Sequence, residues 1–427
     1  MQEKSEAWDS DKVMSKDLFL NSMKTLLGAD YARFKSTLGE PAFRGVYLNT
    51  LKCDKERFLS LFAYALTPTP FSPNGFYIEP DVEGLGNHPL HHAGAFYVQE
   101  PSAMSVAAIV DAKPGEKILD LCAAPGGKTT AIAGALAGTG LLWSNEYVKQ
   151  RALTLLSNCE RIGAANTVIS NTDAATLAAT LPDFFDKVLV DAPCSGEGML
   201  RREKAAYEQW SEKNIAICAD RQKDILHHAA KTVKPGGYLI YSTCTFNKAE
   251  NEDIIADFLQ THAQFSLVPI CEEFGSAGFD MPETKRIFPA DGGEGHFAAK
   301  LQKSGTPEPT KPSALKTAPA PEAFFDFYRD RFGENVYGTP ALIGEKIYLL
   351  PPLLPTLKGI NIVRAGVLAG QMKGTRFVPA HALYAAAAAK TCRHALSLSL
   401  TDARLARYLH GEEIDVGTQI SPGYCAV

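Results

Sequence analysis

No apolar run in this sequence approaches the ~18 residues that a membrane-crossing helix requires. No apolar leader stretch follows the charged opening Met1-Gln2-Glu3-Lys4-Ser5-Glu6 either. The expectation is a cytoplasmic protein, taken as monomeric and with no membrane partner. Cysteine is sparse, nine in 427 residues, and no two stand as Cys-x-x-Cys, which argues against a disulfide scaffold or a structural zinc site. Any cysteine with a special role must owe it to its surroundings. An excess of one charge is lacking too: 43 Lys and Arg stand against 48 Asp and Glu, a formal net charge of −5. Nothing therefore draws the whole chain towards nucleic acid, and such a substrate would need a local basic surface. What is present is ordinary globular material, 45% hydrophobic and 21% charged, with room for two or three domains.

One stretch organises the rest. Lys117-Ile118-Leu119-Asp120-Leu121 is a short apolar strand, Cys122-Ala123-Ala124-Pro125-Gly126-Gly127 a tight loop, and Lys128-Thr129 leads into an alanine-rich helix. Backbone N–H groups and the positive end of the helix dipole meet a ligand at such a junction, and paired glycines let it approach without a Cβ clash. A phosphate-cradling P-loop would need glycine where Cys122 stands, and the dinucleotide fingerprint needs a glycine pattern this loop lacks. A Rossmann-like turn places an acidic residue about 20 positions further on for ribose hydroxyls. Glu146, ending the strand Leu141 to Glu146, fills that place. Asp173 and Asp191 follow the next two strand patterns. Carboxylates at successive strand ends suit a ribose and an adenine amino group rather than a pyrophosphate, and the ligand reads as S-adenosylmethionine.

Strand patterns at 117–122, 141–146, 167–172, 186–191 and 237–243 alternate with helical runs, the mark of a doubly wound α/β domain. Phe265 to Val268 and His296 to Leu301, across the loop Phe288 to Gly295, read as an antiparallel finishing pair. Before this domain, a helix near Asp17 to Leu27, an extended piece at 45–52 and a helix from Asp54 to Tyr64 make a small α+β unit closed by Pro68, Pro70 and Pro73. His88, His91 and His92 lie in a proline-containing loop without Cys or Glu at ligand spacing, and read as solvated or packing residues; no metal is expected. Prolines 307, 309, 312, 319 and 321 among Ser, Thr, Lys and Ala mark a linker. The expected division is 1–90, 91–302, a linker at 303–321, and 322–427. The last unit opens on Phe324, Phe325, Phe327 and Tyr328 and carries a helix around His381 to Lys390. Arg364, Lys373 and Arg376 stand among its glycines, where loops can touch phosphates or simply be solvated. A basic run at Leu200-Arg201-Arg202-Glu203-Lys204 could add contacts, though a solvated helix surface is the commoner meaning.

Chemistry concentrates at two cysteines. Asp191-Ala192-Pro193-Cys194-Ser195-Gly196 follows the fourth strand and Ser242-Thr243-Cys244-Thr245 ends the fifth, both at the edge where the ligand crevice opens. A single strand-end cysteine is more often a small buried hydrophobe. Two flanking a methyl-donor pocket fit a known need. Carbon 5 of cytosine becomes nucleophilic only after a thiolate adds to carbon 6, and a second group must then help elimination.

These motifs resemble the signatures of the Nop/Sun family of RNA cytosine-C5 methyltransferases. Together with His88-Pro89-Leu90 and Tyr97-Val98-Gln99-Glu100-Pro101-Ser102 they are most similar to a bacterial type that acts on 16S ribosomal RNA. The resemblance implies a Rossmann-like class I methyltransferase domain, a small N-terminal α+β RNA-binding domain and a C-terminal PUA-like α+β domain. It implies Cys244 as nucleophile, Cys194 as the residue assisting release, and Asp191 as both a cofactor-side group and a partner for the cytosine ring nitrogen. Residues Cys122 to Lys128, Glu146, Asp173 and, as a neighbour, Arg151 would hold S-adenosylmethionine. RNA would be the partner, gripped by the outer units, so that a chain lacking 322–427 is expected to keep cofactor binding. DNA cytosine methyltransferases attack with the Pro-Cys cysteine, a place Cys194 occupies here; Cys244 tips the balance to RNA. A thiol-redox enzyme would want its cysteines closer in sequence or at a helix start, and a non-catalytic RNA-binding protein would be free to lose either one.

Overall fold

The computed structural model describes residues 2–202, 210–307, 317–387, 391–417 and 423–426, the side chains of 2–14 excepted. The expected contacts of Glu203 and Lys204 lie outside these residues. So does the end of the helix expected to reach Lys390, which is described over His381–Ala386.

Two helices, Gln2–Leu27 and Tyr31–Thr37, open the chain, and an antiparallel sheet follows. Its strands β1 (Arg44–Leu48), β2 (Leu66–Pro68), β3 (Gly75–Ile78) and β4 (Phe96–Gln99) lie in the order β2-β3-β1-β4. The prolines expected to close this unit instead flank two of its strands, and β4 lies beyond residue 90. Pro68 is tolerated because β2 is an edge strand, with one side free of ladder bonds. Val46, Leu48, Phe58, Phe62, Phe76 and Phe96 form the core between this sheet and helix Lys55–Leu61. His88 and His91 pack their rings near Phe96.

The central sheet carries the parallel strands β5 (Lys117–Asp120), β6 (Leu141–Asn145), β7 (Thr167–Ser170), β8 (Phe185–Asp191) and β9 (Val233–Thr243). Their spatial order is β7-β6-β5-β8-β9. The winding reverses between β5 and β8, and a crevice opens there at the carboxyl ends. β10 (Phe265–Val268) and β13 (His296–Lys303) are the expected antiparallel pair, with β13 also laid against β9. A strand not expected, β12 (Met281–Ile287), pairs with β13 on one side and with β11 (Ser276–Gly278) on the other. Its alternate buried positions are Thr284 and Arg286, not apolar residues, so the period-2 signal was absent.

The third sheet has the order β14-β15-β16-β18-β19, built from β14 (Ala318–Pro319), β15 (Thr339–Ile343), β16 (Lys346–Leu350), β18 (Val367–Lys373) and β19 (Arg376–Pro379). Helix Glu322–Phe332 lays Phe324 and Tyr328 against it. The strand β17 (Ile362–Ala365) leaves this unit and pairs antiparallel with β7, extending the central sheet. Arg364, read as a loop cation open to phosphate or to solvent, sits on β17 with its guanidinium paired to Glu160. Lys373 and Arg376 flank the exposed turn between β18 and β19.

Candidate active site

The loop from Leu121 to Gly126 runs between β5 and helix Gly127–Leu136. Gly126 has φ 116, a backbone state that favours glycine. A Cβ on Gly127 would lie 3.1 Å from the Gln99 amide and 3.2 Å from the Tyr97 ring, so the glycine lets the loop lie against β4. Two asparagines bind this loop to the next two strand ends. Asn145 Nδ2 donates to the carbonyls of Leu121 (3.1 Å) and Thr172 (3.0 Å), and its Oδ1 accepts from Ser170 Oγ (2.7 Å). Asn171 Nδ2 donates to the carbonyls of Glu146 (2.8 Å) and Tyr147 (2.7 Å). Arg151 spans the gap from the other side, donating to Ala124 O at 2.8 Å with its guanidinium 3.3 Å from Glu146 Oε2. Glu146 is 3% exposed at the end of β6, and its Oε1 accepts from Val148 N. Asp173 stands at the exposed rim and caps helix Ala174–Thr180, accepting from Thr176 N at 2.7 Å. That backbone bond holds its carboxyl below the ordinary range. The result is a crescent of three loops with carboxylates at two of its points.

The donor set can be tested against a ligand. Lys128, the cation of the glycine loop, is tied to Asp191 Oδ2 at 2.7 Å, so the crevice does not offer it to a pyrophosphate. A buried carboxylate at the end of β6, suited to a diol, and a crevice with no free cation for phosphate among the described residues fit an adenosyl group.

Beside the crescent, β8 and β9 end next to each other. Asp191 Oδ1 accepts from Ser242 Oγ at 2.7 Å, and His296 Nε2 stands 3.7 Å from the same oxygen. Burial alone would raise the Asp191 pKa; the Lys128 ammonium, with His296 nearby, reverses this and holds the carboxyl well below the usual range. Cys194 Sγ and Cys244 Sγ are 3.3 Å apart. The Cys244 sulfur and then burial push the Cys194 thiol well up.

Two buried carboxylates hold the cysteine loops in place. Glu197, 1% exposed, accepts from Trp210 Nε1 (2.8 Å), Thr245 Oγ1 (2.7 Å), Phe246 N (2.8 Å) and Asn247 N (2.8 Å). Glu250 accepts from Ser195 N (2.9 Å), Gln222 Nε2 (2.9 Å) and Asn247 Nδ2 (2.7 Å). The Cys194 loop is thereby fastened to the Cys244 loop at two points. Arg286, on the unexpected strand, pairs with Glu252 through Nε and NH2 and donates NH1 to Phe246 O at 2.6 Å. Behind them Phe19 of helix Gln2–Leu27, Phe34 of helix Tyr31–Thr37, Leu200, Trp210 and Phe246 form one apolar cluster, which seats those helices against the cysteine loops.

The structure thus gathers Lys128, Asp191, Cys194 and Cys244 at one place, with Cys122 to Gly127, Glu146 and Arg151 adjoining and Asp173 at the rim. Sequence reasoning missed Asn145, Asn171, Glu197, Ser242, Glu250 and His296. Glu197 lies between two glycines and Glu250 in the polar run Asn247 to Glu252. No local signal marks the burial of either.

Sheet order, antiparallel β13 and a cofactor crescent at the switch point define a class I α/β methyltransferase. The model of the 16S rRNA methyltransferase RsmB/F matches residues 107–302; that of the N-terminal domain of 16S rRNA methyltransferase RsmF matches 16–101, and that of the RsmF rRNA methyltransferase first C-terminal domain matches 326–386. The ribosomal RNA small subunit methyltransferase F of Salmonella paratyphi A is 33% identical, covering 91% of this chain and 86% of that protein. The chain belongs to the RsmB/F family of 16S ribosomal RNA methyltransferases. A methyltransferase homolog from Pyrococcus horikoshii superposes with a TM-score of 0.60 at 27% identity, over 67% of this chain and 94% of that one. The NSun6 structure from the same organism, at 23% identity and a TM-score of 0.61, shares the fold over 67% of this chain and 98% of its own.

Proposed function

We propose that the protein methylates carbon 5 of a cytosine in 16S ribosomal RNA, with Cys244 as the nucleophile and Cys194 assisting release. The observation that carries this reading is the 3.3 Å approach of the two sulfurs beside an ionised Asp191. S-adenosylmethionine supplies an electrophilic methyl group when bound. The Cys122 to Gly127 backbone, Glu146, Arg151 and Asp173 would hold it, the carboxylates suiting its ribose hydroxyls and adenine amino group.

The cytosine leaves its stack to reach the strand ends. Asp191 accepts from the base and favours a proton on its ring nitrogen while the Cys244 thiolate bonds to carbon 6. The carbon 5–carbon 6 double bond opens, and carbon 5 takes the methyl group. Cys194, as thiolate, then takes the carbon 5 proton, which restores the carbon 5–carbon 6 double bond and expels the Cys244 sulfur as a thiolate. Units 1–90 and 322–427, the latter PUA-like and joined through 303–321, grip the RNA. The protein acts as a cytoplasmic monomer.

Denaturing gels test the assignment. Cys244→Ala is expected to abolish methylation and any covalent protein–RNA band. Cys194→Ala is expected to retain a denaturant-resistant band, and the double substitution to lose it. A band that persists in Cys244→Ala and vanishes in Cys194→Ala reverses the roles.

A further inference from the structure

β7 is the last parallel strand of the central sheet, and its outer edge needs a partner. β17 supplies it, with Ile362 opposite Ser170, Arg364 opposite Ile169 and Ala365 opposite Val168. Gly366 N donates to Thr167 O at 2.8 Å at one end of the seam, and Asn171 N donates to Asn361 O at 2.9 Å at the other. This second end is the carboxyl end of β7, where the cofactor crescent lies. Asn171, whose side chain holds the carbonyls of Glu146 and Tyr147, therefore has its own backbone fixed by the C-terminal unit. Asn361 Nδ2 adds a bond to Asn171 O at 3.3 Å.

Between these contacts the register slips, leaving Val363 unmatched in the ladder. A residue set free in this way can be aimed at a target off the strand. Val363 packs into the apolar cluster of Ala123, Ala124, Leu155, Cys159 and Ile169. Ala123 and Ala124 belong to the glycine loop itself. Arg364, next along, is paired with Glu160 of helix Lys149–Ile162, the helix that also sends Arg151 to Ala124 O and Glu146. Asn361, just before β17, and Val363 and Arg364 within it thus brace all three sides of the crescent: the Glu146 loop through Asn171, the glycine loop through Val363, and the Arg151 helix through Arg364.

We infer that Asn361 and Val363 are positioning residues for the methyl donor, so that the C-terminal unit is a structural part of the cofactor site and not only a grip for RNA. The inference rests on the reading that the crescent holds S-adenosylmethionine. It also reverses the expectation that a chain without 322–427 keeps cofactor binding.

The test uses the full chain carrying Val363→Ala and Asn361→Ala together, with S-adenosylmethionine as titrant in calorimetry and KM and kcat measured on RNA substrate. Loss of partly buried methyl contacts and one hydrogen bond is expected to weaken donor binding by about three- to tenfold. KM for the donor should rise in step, while kcat at saturating donor and RNA affinity stay within about twofold of the parent. Asn361→Ala alone, at an exposed position, should show the same direction with a smaller change. Val363→Ile should bind the donor like the parent. Ile347→Ala, in the buried core of the third sheet and away from the seam, is expected to lower the melting temperature without moving donor affinity. Unchanged donor affinity in the double variant overturns the inference, as does an equal loss in Ile347→Ala. Glu146→Ala separates the two levels. If it binds donor as tightly as the parent, the cofactor reading itself fails; if it loses donor and the seam variant does not, only the positioning role fails.

Discussion

The two halves of the crevice are held by different means. On the donor side, Asn145 and Asn171 join three strand ends through neutral amide bonds to backbone carbonyls, and Tyr147 beside Glu146 remains 74% exposed. On the catalytic side, Glu197 and Glu250 sit fully enclosed and collect donors from two separate loops. A buried carboxylate demands every one of its bonds, because an unpaired charge in a low dielectric is costly; its loops are then fixed by the same demand. A site that must hold two sulfurs 3.3 Å apart gains from that rigidity. The donor side encloses the Glu146 carboxylate, paired with Arg151, and otherwise joins its loops through neutral amides. The outer units repeat the contrast. The N-terminal helices back the cysteine loops with packed aromatic side chains, Phe34 lying 5.5 Å from Phe246, whereas the C-terminal unit backs the donor loops with a strand edge.

This difference can be broken at its strongest point first. Glu197→Ala should strand Trp210 Nε1, Thr245 Oγ1, Phe246 N and Asn247 N, each buried donor costing about 1–3 kcal/mol. Several kcal/mol of stability and nearly all activity should go with it. Asn171→Ala on the donor side should cost about 1–2 kcal/mol, since carbonyls near the rim can turn to water. Urea unfolding of the two variants checks the ordering, and equal losses would erase the distinction between the halves.

An effect on binding rather than on stability is expected where charge does enter the donor side. Removing the Glu146 carboxylate should weaken S-adenosylmethionine binding by ~1.5–3 kcal/mol, about ten- to a hundredfold. Calorimetry on Glu146→Ala reads this directly, and unchanged affinity removes Glu146 from the site.

The smallest effect at neutral pH joins the two halves, because Lys128 comes from the donor loop and Asp191 from the catalytic strand. Asp191 has a folded pKa depressed below its unfolded value of about 3.9. The stabilisation from this pair is therefore present above that value and lost only as pH falls towards the folded pKa. In Lys128→Met, burial acts without the opposing ammonium, and the Asp191 pKa should rise. The rate should match the parent most closely in mildly alkaline buffer and fall away on the acid side, where the parent stays flat. A pH–rate profile with no new acid limb would show that Lys128 does not keep Asp191 ionised.

Much of the donor half was legible in the letters. A strand running into Cys122 to Gly127 and a carboxylate at the end of the next strand are local patterns, and glycine at a positive φ or a capping Asp173 needs only its neighbours to make sense. The parallel strands were legible for the same reason, being apolar runs between helical stretches. β12 was not, since its inward positions are Thr284 and Arg286, and an arginine is buried there only because Glu252 and Phe246 O receive it.

Local patterns also determined that Cys194 and Cys244 stand at neighbouring strand ends. What only the tertiary structure decided is how near the sulfurs come and what holds them there. Glu197 between two glycines looks the same in a sequence whether it faces water or four donors, because those donors arrive from Trp210 and from the Thr245 to Asn247 turn far along the chain. Arg364 likewise reads as a loop cation until β17 is seen paired with β7 and its charge matched by Glu160. Burial of a charge is a property of partners brought together by folding, and no period or turn signal within a few residues encodes it.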